Sequence, residues 1–103
     1  MKGIQGLMKQ AQQMQQKMST LQRELEAREL DVSSGGGMVK IKINGKQQIL
    51  SITINKECVD PNDVATLEEL IKVSLNQAVK ESQDMVSSAM SKITGGINIP
   101  GLF

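Results

Sequence analysis

From Ile4 to Leu25 the apolar residues fall at Ile4, Leu7, Ala11, Met14, Met18, Leu21 and Leu25, in alternating steps of three and four. That spacing returns a side chain to one side of an α-helix and cannot line one face of a strand. No Pro interrupts it, and Gln, Met, Lys, Leu, Glu and Ala dominate, so residues 4–27 are predicted to be helical. The stripe is an a/d seam three heptads long, and nearly every other position is polar. A seam so narrow on a helix so long predicts packing along its length on another helix, preferably in a second copy of the chain. Packing on the chain's own core is the competing expectation.

The period then changes. Leu30 and Val32 alternate with polar residues, Ser33-Ser34-Gly35-Gly36-Gly37 supplies a turn, and Val39, Ile41 and Ile43 alternate with Lys40, Lys42 and Asn44. Asn44-Gly45 is a strong hairpin signal. Leu50, Ile52 and Ile54 follow in alternation with Ser51 and Thr53. Three antiparallel strands in meander order are expected, one face aliphatic and buried, the other carrying Lys40, Lys42, Ser51 and Thr53 to water. Such a meander needs a helix on its apolar face.

Asp60-Pro61-Asn62-Asp63 reads as the start of that helix, with Asp60 capping and Pro61 in the first helical position. Apolar residues recur at helical spacing from Val64 to Ile93, so the helix is expected to reach about Thr94. Ser82-Gln83-Asp84 interrupts the stripe and marks where a kink or a break into two helices is expected. About 30 helical residues span ~45 Å against ~23 Å for a seven-residue strand. Part of each helix must overhang the sheet, and a projecting amphipathic helix needs a partner. The overhang of the second helix brings Met85 and Met90 into the expected dimer contact with Ile4, Leu7, Ala11, Met14, Met18, Leu21 and Leu25. The reading is thus one α+β domain over residues 1–94. A Gly/Pro-broken apolar tail follows at 95–103, for which fraying and docking in a groove are equally open.

Composition bears on function mostly by exclusion. Phe103 is the one aromatic in 103 residues, so the core must be aliphatic, and a domain this small is often marginal alone. Seven Met residues suit adaptable helix contacts. There is no His, which removes the usual general base and the commonest metal ligand. Gly35-Gly36-Gly37 lacks the Lys-Ser/Thr of a phosphate loop. Glu68-Glu69 has no matching cluster and reads as solvated surface. A single cysteine, Cys58, excludes a disulfide framework, suits a reducing compartment and reads as a small filler. The first residues lack a signal-peptide core and no stretch approaches a membrane span, so the expectation is a cytoplasmic binding or architectural protein, with no enzymatic activity, metal or cofactor.

Net charge is +1, but residues 1–25 and 38–59 each carry +3, residues 26–37 carry −2 and residues 60–94 carry −3. On the first helix Lys2, Lys9, Gln16 and Arg23 repeat every seven residues opposite the seam, flanked by Gln5, Gln12, Gln13, Ser19 and Thr20. Read functionally, this face tracks phosphates, with Lys and Arg for charge and Gln for neutral hydrogen bonds. Read plainly, it is a solvated helix face.

Four segments together resemble the YbaB/EbfC family of bacterial nucleoid-associated proteins. They are the opening Leu7-Met8-Lys9-Gln10-Ala11-Gln12-Gln13-Met14-Gln15, the run Gly35 to Gly45, Val59-Asp60-Pro61-Asn62-Asp63, and the close Lys92 to Phe103. The resemblance runs nearly end to end. It implies an α-β-β-β-α fold, a tweezer-like homodimer whose projecting helices hold double-stranded DNA, and location on the nucleoid. Carried to this chain, it nominates Lys2, Lys9, Gln12, Gln16, Lys17 and Arg23 on the first helix as DNA contacts, with Lys80 and Lys92 on the second. Few of these side chains are placed to read base edges, so low sequence specificity is expected, with consequences for nucleoid organisation and gene expression. The alternative function is a protein-interaction adaptor that uses the heptad helix and the apolar tail.

Overall fold

The computed structural model describes the backbone of residues 2–94 and the side chains of residues 3–92. The expected tail, 95–103, lies outside the described residues, as does the side chain of Lys2. The elements run α1 (Lys2–Ala27), β1 (Glu29–Ser34), β2 (Val39–Asn44), β3 (Ile49–Ile54), a short 3-10 turn at Lys56–Cys58, and α2 (Val64–Thr94). The sheet is an antiparallel meander in the order β1-β2-β3. The expected α-β-β-β-α architecture is therefore the observed one.

The first hairpin turns on Gly35, Gly36 and Gly37, all left-handed with φ of 62°, 68° and 88°, a region side chains rarely adopt. The second is longer than its Asn-Gly signal suggests. Asn44 closes β2, and four residues follow before β3, with Gln47 left-handed at φ 64°. The Asn44 side chain holds this loop, its Oδ1 accepting from the Lys46 and Gln48 backbone N–H groups at 2.9 and 3.1 Å.

β1 pairs with β2 in unbroken register, Val32 facing Ile41 and Leu30 facing Ile43. β3 pairs with β2 through a bulge: Ile43 faces Ile49, Lys42 faces Ser51, and Leu50 is the extra residue. Here the expected alternation Leu50/Ile52/Ile54 is corrected, because Ile49 and not Leu50 shares the apolar face with Ile52 and Ile54.

α2 lies across that face. Ser74, Ala78 and Ser82, four residues apart and all buried, form its line of closest approach. Small side chains let the helix sit close over Val32, Val39, Ile41 and Ile43, with Leu30, Leu70, Leu75 and Val79 packed around this cluster. α2 rests on β1 and β2, however, so the expectation of a wholly buried aliphatic face fails at β3: Ile49 and Ile52 are exposed.

Two further expectations about α2 are corrected. Asp63, not Asp60, caps the helix: its carboxylate accepts from the Thr66 backbone N–H at 3.3 Å and the Thr66 hydroxyl at 2.6 Å. Asp60 and Pro61 form the preceding turn, in which Asp60 Oδ1 accepts from Asn62 N–H. Nor does Ser82-Gln83-Asp84 break the helix, which is continuous to Thr94. Ser82 is polar because its hydroxyl donates to the buried main-chain carbonyl of Asn44 at 2.7 Å.

Candidate nucleic-acid interface

The C-terminal end of α1 is fixed where Gly45 meets it. A Cβ on Gly45 would collide with the Leu25 carbonyl, so only glycine lets the helix lie against the β2–β3 loop. Leu25 is fully buried there and belongs to the chain's own core. Of the residues expected in the dimer contact, it is the one with no surface exposed in the single chain. α1 packs on α2 and on β2. Burial along its seam falls with distance from this anchor. Leu21, Met18 and Met14 are half-buried, while Ala11, Leu7 and Ile4 are exposed. On α2, Met85 and Met90 are half-buried.

The first half of α1 therefore projects as an arm. The molecule measures 75 × 22 × 16 Å, with a radius of gyration of 20.1 Å. A compact chain of this length has a radius of gyration of about 13 Å.

Of the nominated residues on the arm, Lys9, Gln12, Gln16, Lys17 and Arg23 are exposed. Lys9, Gln16 and Arg23 lie within about 40° of one another around the helix, over a rise of ~21 Å. Gln12 adjoins them. Lys17 does not: it falls ~60° from Met14, at the edge of the seam. Gln12, Gln16 and Arg23 line a shallow polar groove with Gln15, Ser19 and Thr20. Gln15 was not singled out in the sequence, because it breaks the seven-residue repeat; its long amide side chain next to Gln12 and Gln16 is the signal.

The ion pairs among the described residues lie elsewhere, at Lys42–Glu29, Lys46–Glu26 and Lys72–Glu69. Lys9, Lys17 and Arg23 thus keep their charge free of a carboxylate partner. Lys80 and Lys92 are exposed but lie about 120° apart around α2, so they make no common face. Among the described residues no group of three or more His, Cys, Asp or Glu could hold a metal, and no helix is long and apolar enough to cross a membrane. Cys58 is half-buried, its thiol donating to the Asn55 carbonyl at 3.0 Å.

Comparison with known proteins places this geometry among relatives. Residues 1–97 match the model of the YbaB/EbfC DNA-binding family. A nucleoid-associated protein of Caldanaerobacter subterraneus is 50% identical over 100 residues, covering 97% of this chain and 90% of the relative. One from Clostridium novyi is 51% identical, covering 97% and 88%. One from Desulforamulus reducens is 52% identical over 97 residues, covering 94% and 92%. The crystal structure of an uncharacterized protein from Helicobacter pylori superposes with a TM-score of 0.72 at 20% identity, over 86% of this chain and 94% of that one, a likeness of fold.

Proposed function

The chain belongs to the YbaB/EbfC DNA-binding family, and on that premise we propose that it binds double-stranded DNA as a homodimer of low sequence specificity, acting on the nucleoid by binding rather than catalysis. The observation that carries the reading is the unpaired cationic and amide face of the α1 arm, Lys9, Gln12, Gln16 and Arg23, on a helix that projects beyond its own core. Phosphate contacts supply most of non-specific DNA affinity. Lys and Arg separated by neutral amides suit such contacts, and few side chains here suit a base edge. Lys2, Lys17 and Lys92 are further candidate contacts, Lys17 at the edge of the seam and Lys92 on α2. Lys80 is a weaker contributor, with Glu81 and Asp84 beside it. Organisation of the nucleoid and effects on gene expression follow as consequences of such binding.

The homodimer is supported by the surface left over. The chain exposes 7869 Å², whereas a folded monomer of 11.2 kDa exposes about 5,700 Å². Two arms, each ending in the exposed Ile4 and Leu7, give a tweezer-like molecule. The exposed apolar arm also supports a second reading, in which it and residues 97–103 engage a partner protein. Deleting 97–103 separates the two, since loss of a captured protein with unchanged DNA affinity assigns the tail to protein contact.

Fluorescence anisotropy of a labelled duplex, titrated with the protein at rising salt, tests the main reading. Micromolar binding that weakens linearly in log–log form is expected. Flat anisotropy, insensitive to salt, overturns it.

A further inference from the structure

Cover on the α1 seam ends where α2 ends. Leu25 sits against Gly45, and Ser82 of α2 is bonded to the neighbouring Asn44. From that shared point α1 runs back towards its N-terminus and α2 runs on to Thr94. The two helices pack on each other. Were α1 doubled back over the first half of α2, the molecule would be little longer than the ~46 Å of α2 itself. It is 75 Å long, so the two run on together. From Ser82 to Thr94 the rise is ~18 Å, and the same rise back from Leu25 reaches Gln13. Met14 is the last half-buried residue of the seam before Ala11, Leu7 and Ile4 emerge.

Past that point the seam is both bare and broad. Ile4, Leu7 and Met8 are 56%, 67% and 60% exposed. Met8 widens the stripe to about 100° around the helix, the width that faces a core and not a single neighbouring helix.

The chain supplies an apolar segment at the same place. Gly95-Gly96 follows Thr94, and the next seven residues include Ile97, Ile99, Leu102 and Phe103 with no charged side chain. We infer that residues 97–103 dock on Ile4, Leu7, Met8 and Ala11 of their own chain, closing the bare end of the arm. The inference rests on neither the duplex-binding nor the homodimer reading. Reach favours this occupant: seven residues span up to ~23 Å, and the patch from Ile4 to Ala11 is ~10 Å long. So does the tether. Two glycines join the segment to α2, and a short flexible link gives an effective concentration of order millimolar, which no separate protein at micromolar concentration matches. Lys9, Gln16 and Arg23 lie on the opposite side of α1 and stay open.

The test is hydrogen exchange of the full chain, of a chain ending at Gly96, and of the full chain with Ile97→Asn and Ile99→Asn together. Residues 4–11 are expected to exchange about threefold or more faster in both variants, because an arm without its cover opens more often. Exchange in β2 and the middle of α2 is expected to stay unchanged, which shows that the variants fold. Unchanged exchange at residues 4–11 in both would overturn the docking. A nitroxide at Asn98→Cys in a Cys58→Ser background separates the two sources of the segment. Broadening of the amide signals of residues 4–11 is expected within the labelled chain. Broadening of those signals only in unlabelled copies mixed with it would overturn the assignment and give the patch to a second copy's tail.

Discussion

The Ser82 hydroxyl donates a 2.7 Å hydrogen bond to the main-chain carbonyl of Asn44, joining residues 38 apart in sequence with both ends buried. This bond pins the middle of α2 to the end of β2. Beyond it α2 runs on to Thr94. The same end of the sheet holds Gly45 against Leu25. The end of α1 and the middle of α2 are therefore both held at this end of the sheet.

Ser82→Ala removes that tether. The Asn44 carbonyl still accepts from Gln47 N–H at 3.1 Å, so the expected cost is that of one hydrogen bond, about 1 kcal/mol. Thermal unfolding should show a midpoint lowered by ~4–8 °C for a domain of this size.

Gly45→Ala places a methyl group against the Leu25 carbonyl, and backbone cannot yield as a side chain does. A loss of about 1–3 kcal/mol is expected. Limited proteolysis should cut the end of α1 faster in this variant, because the helix loses its seat before the sheet does.

The seam divides in its energetics. Leu25→Ala deletes a fully buried side chain and is expected to cost about 2–5 kcal/mol in urea unfolding. Leu7→Ala, at an exposed position, should change the stability of the single chain by less than about 0.5 kcal/mol. Equal effects would show that the arm is packed along its whole length.

Arg23→Gln and Lys9→Gln are expected to weaken duplex binding alike for all sequences. Each should reduce the slope of log affinity against log salt by about 1 per phosphate contact removed. Lys72→Gln is the control, since Lys72 pairs with Glu69 at 2.9 Å and lies off the arm. An unchanged slope in both arm variants would move DNA off this face.

Asp63→Ala should destabilise by about 1 kcal/mol through loss of the α2 cap, and Asp60→Ala by less. Chemical denaturation of the pair of variants checks which aspartate starts the helix.

Local pattern carried the architecture. The three-four spacing from Ile4 to Leu25 and the alternation from Leu30 to Ile54 are written residue by residue, because a helix and a strand each impose their own period on whichever side faces the core. The polar repeat Lys9, Gln16, Arg23 was legible for the same reason. What no local pattern could give was which apolar residues find cover. Ile41 and Ile52 are alike in type, period and sheet face, and they differ only because α2 lies over β2 and stops short of β3. Leu25 and Leu7 both lie on the seam, and only the fold around the β2–β3 loop buries one and leaves the other bare. Ser82 looked like a break in a stripe until Asn44 arrived beneath it. Burial is a property of what lies across from a side chain. The sequence by itself set the helices, the strands and the polar side of the arm. Only the tertiary structure decided where the core ends, and with it which apolar residues stay bare.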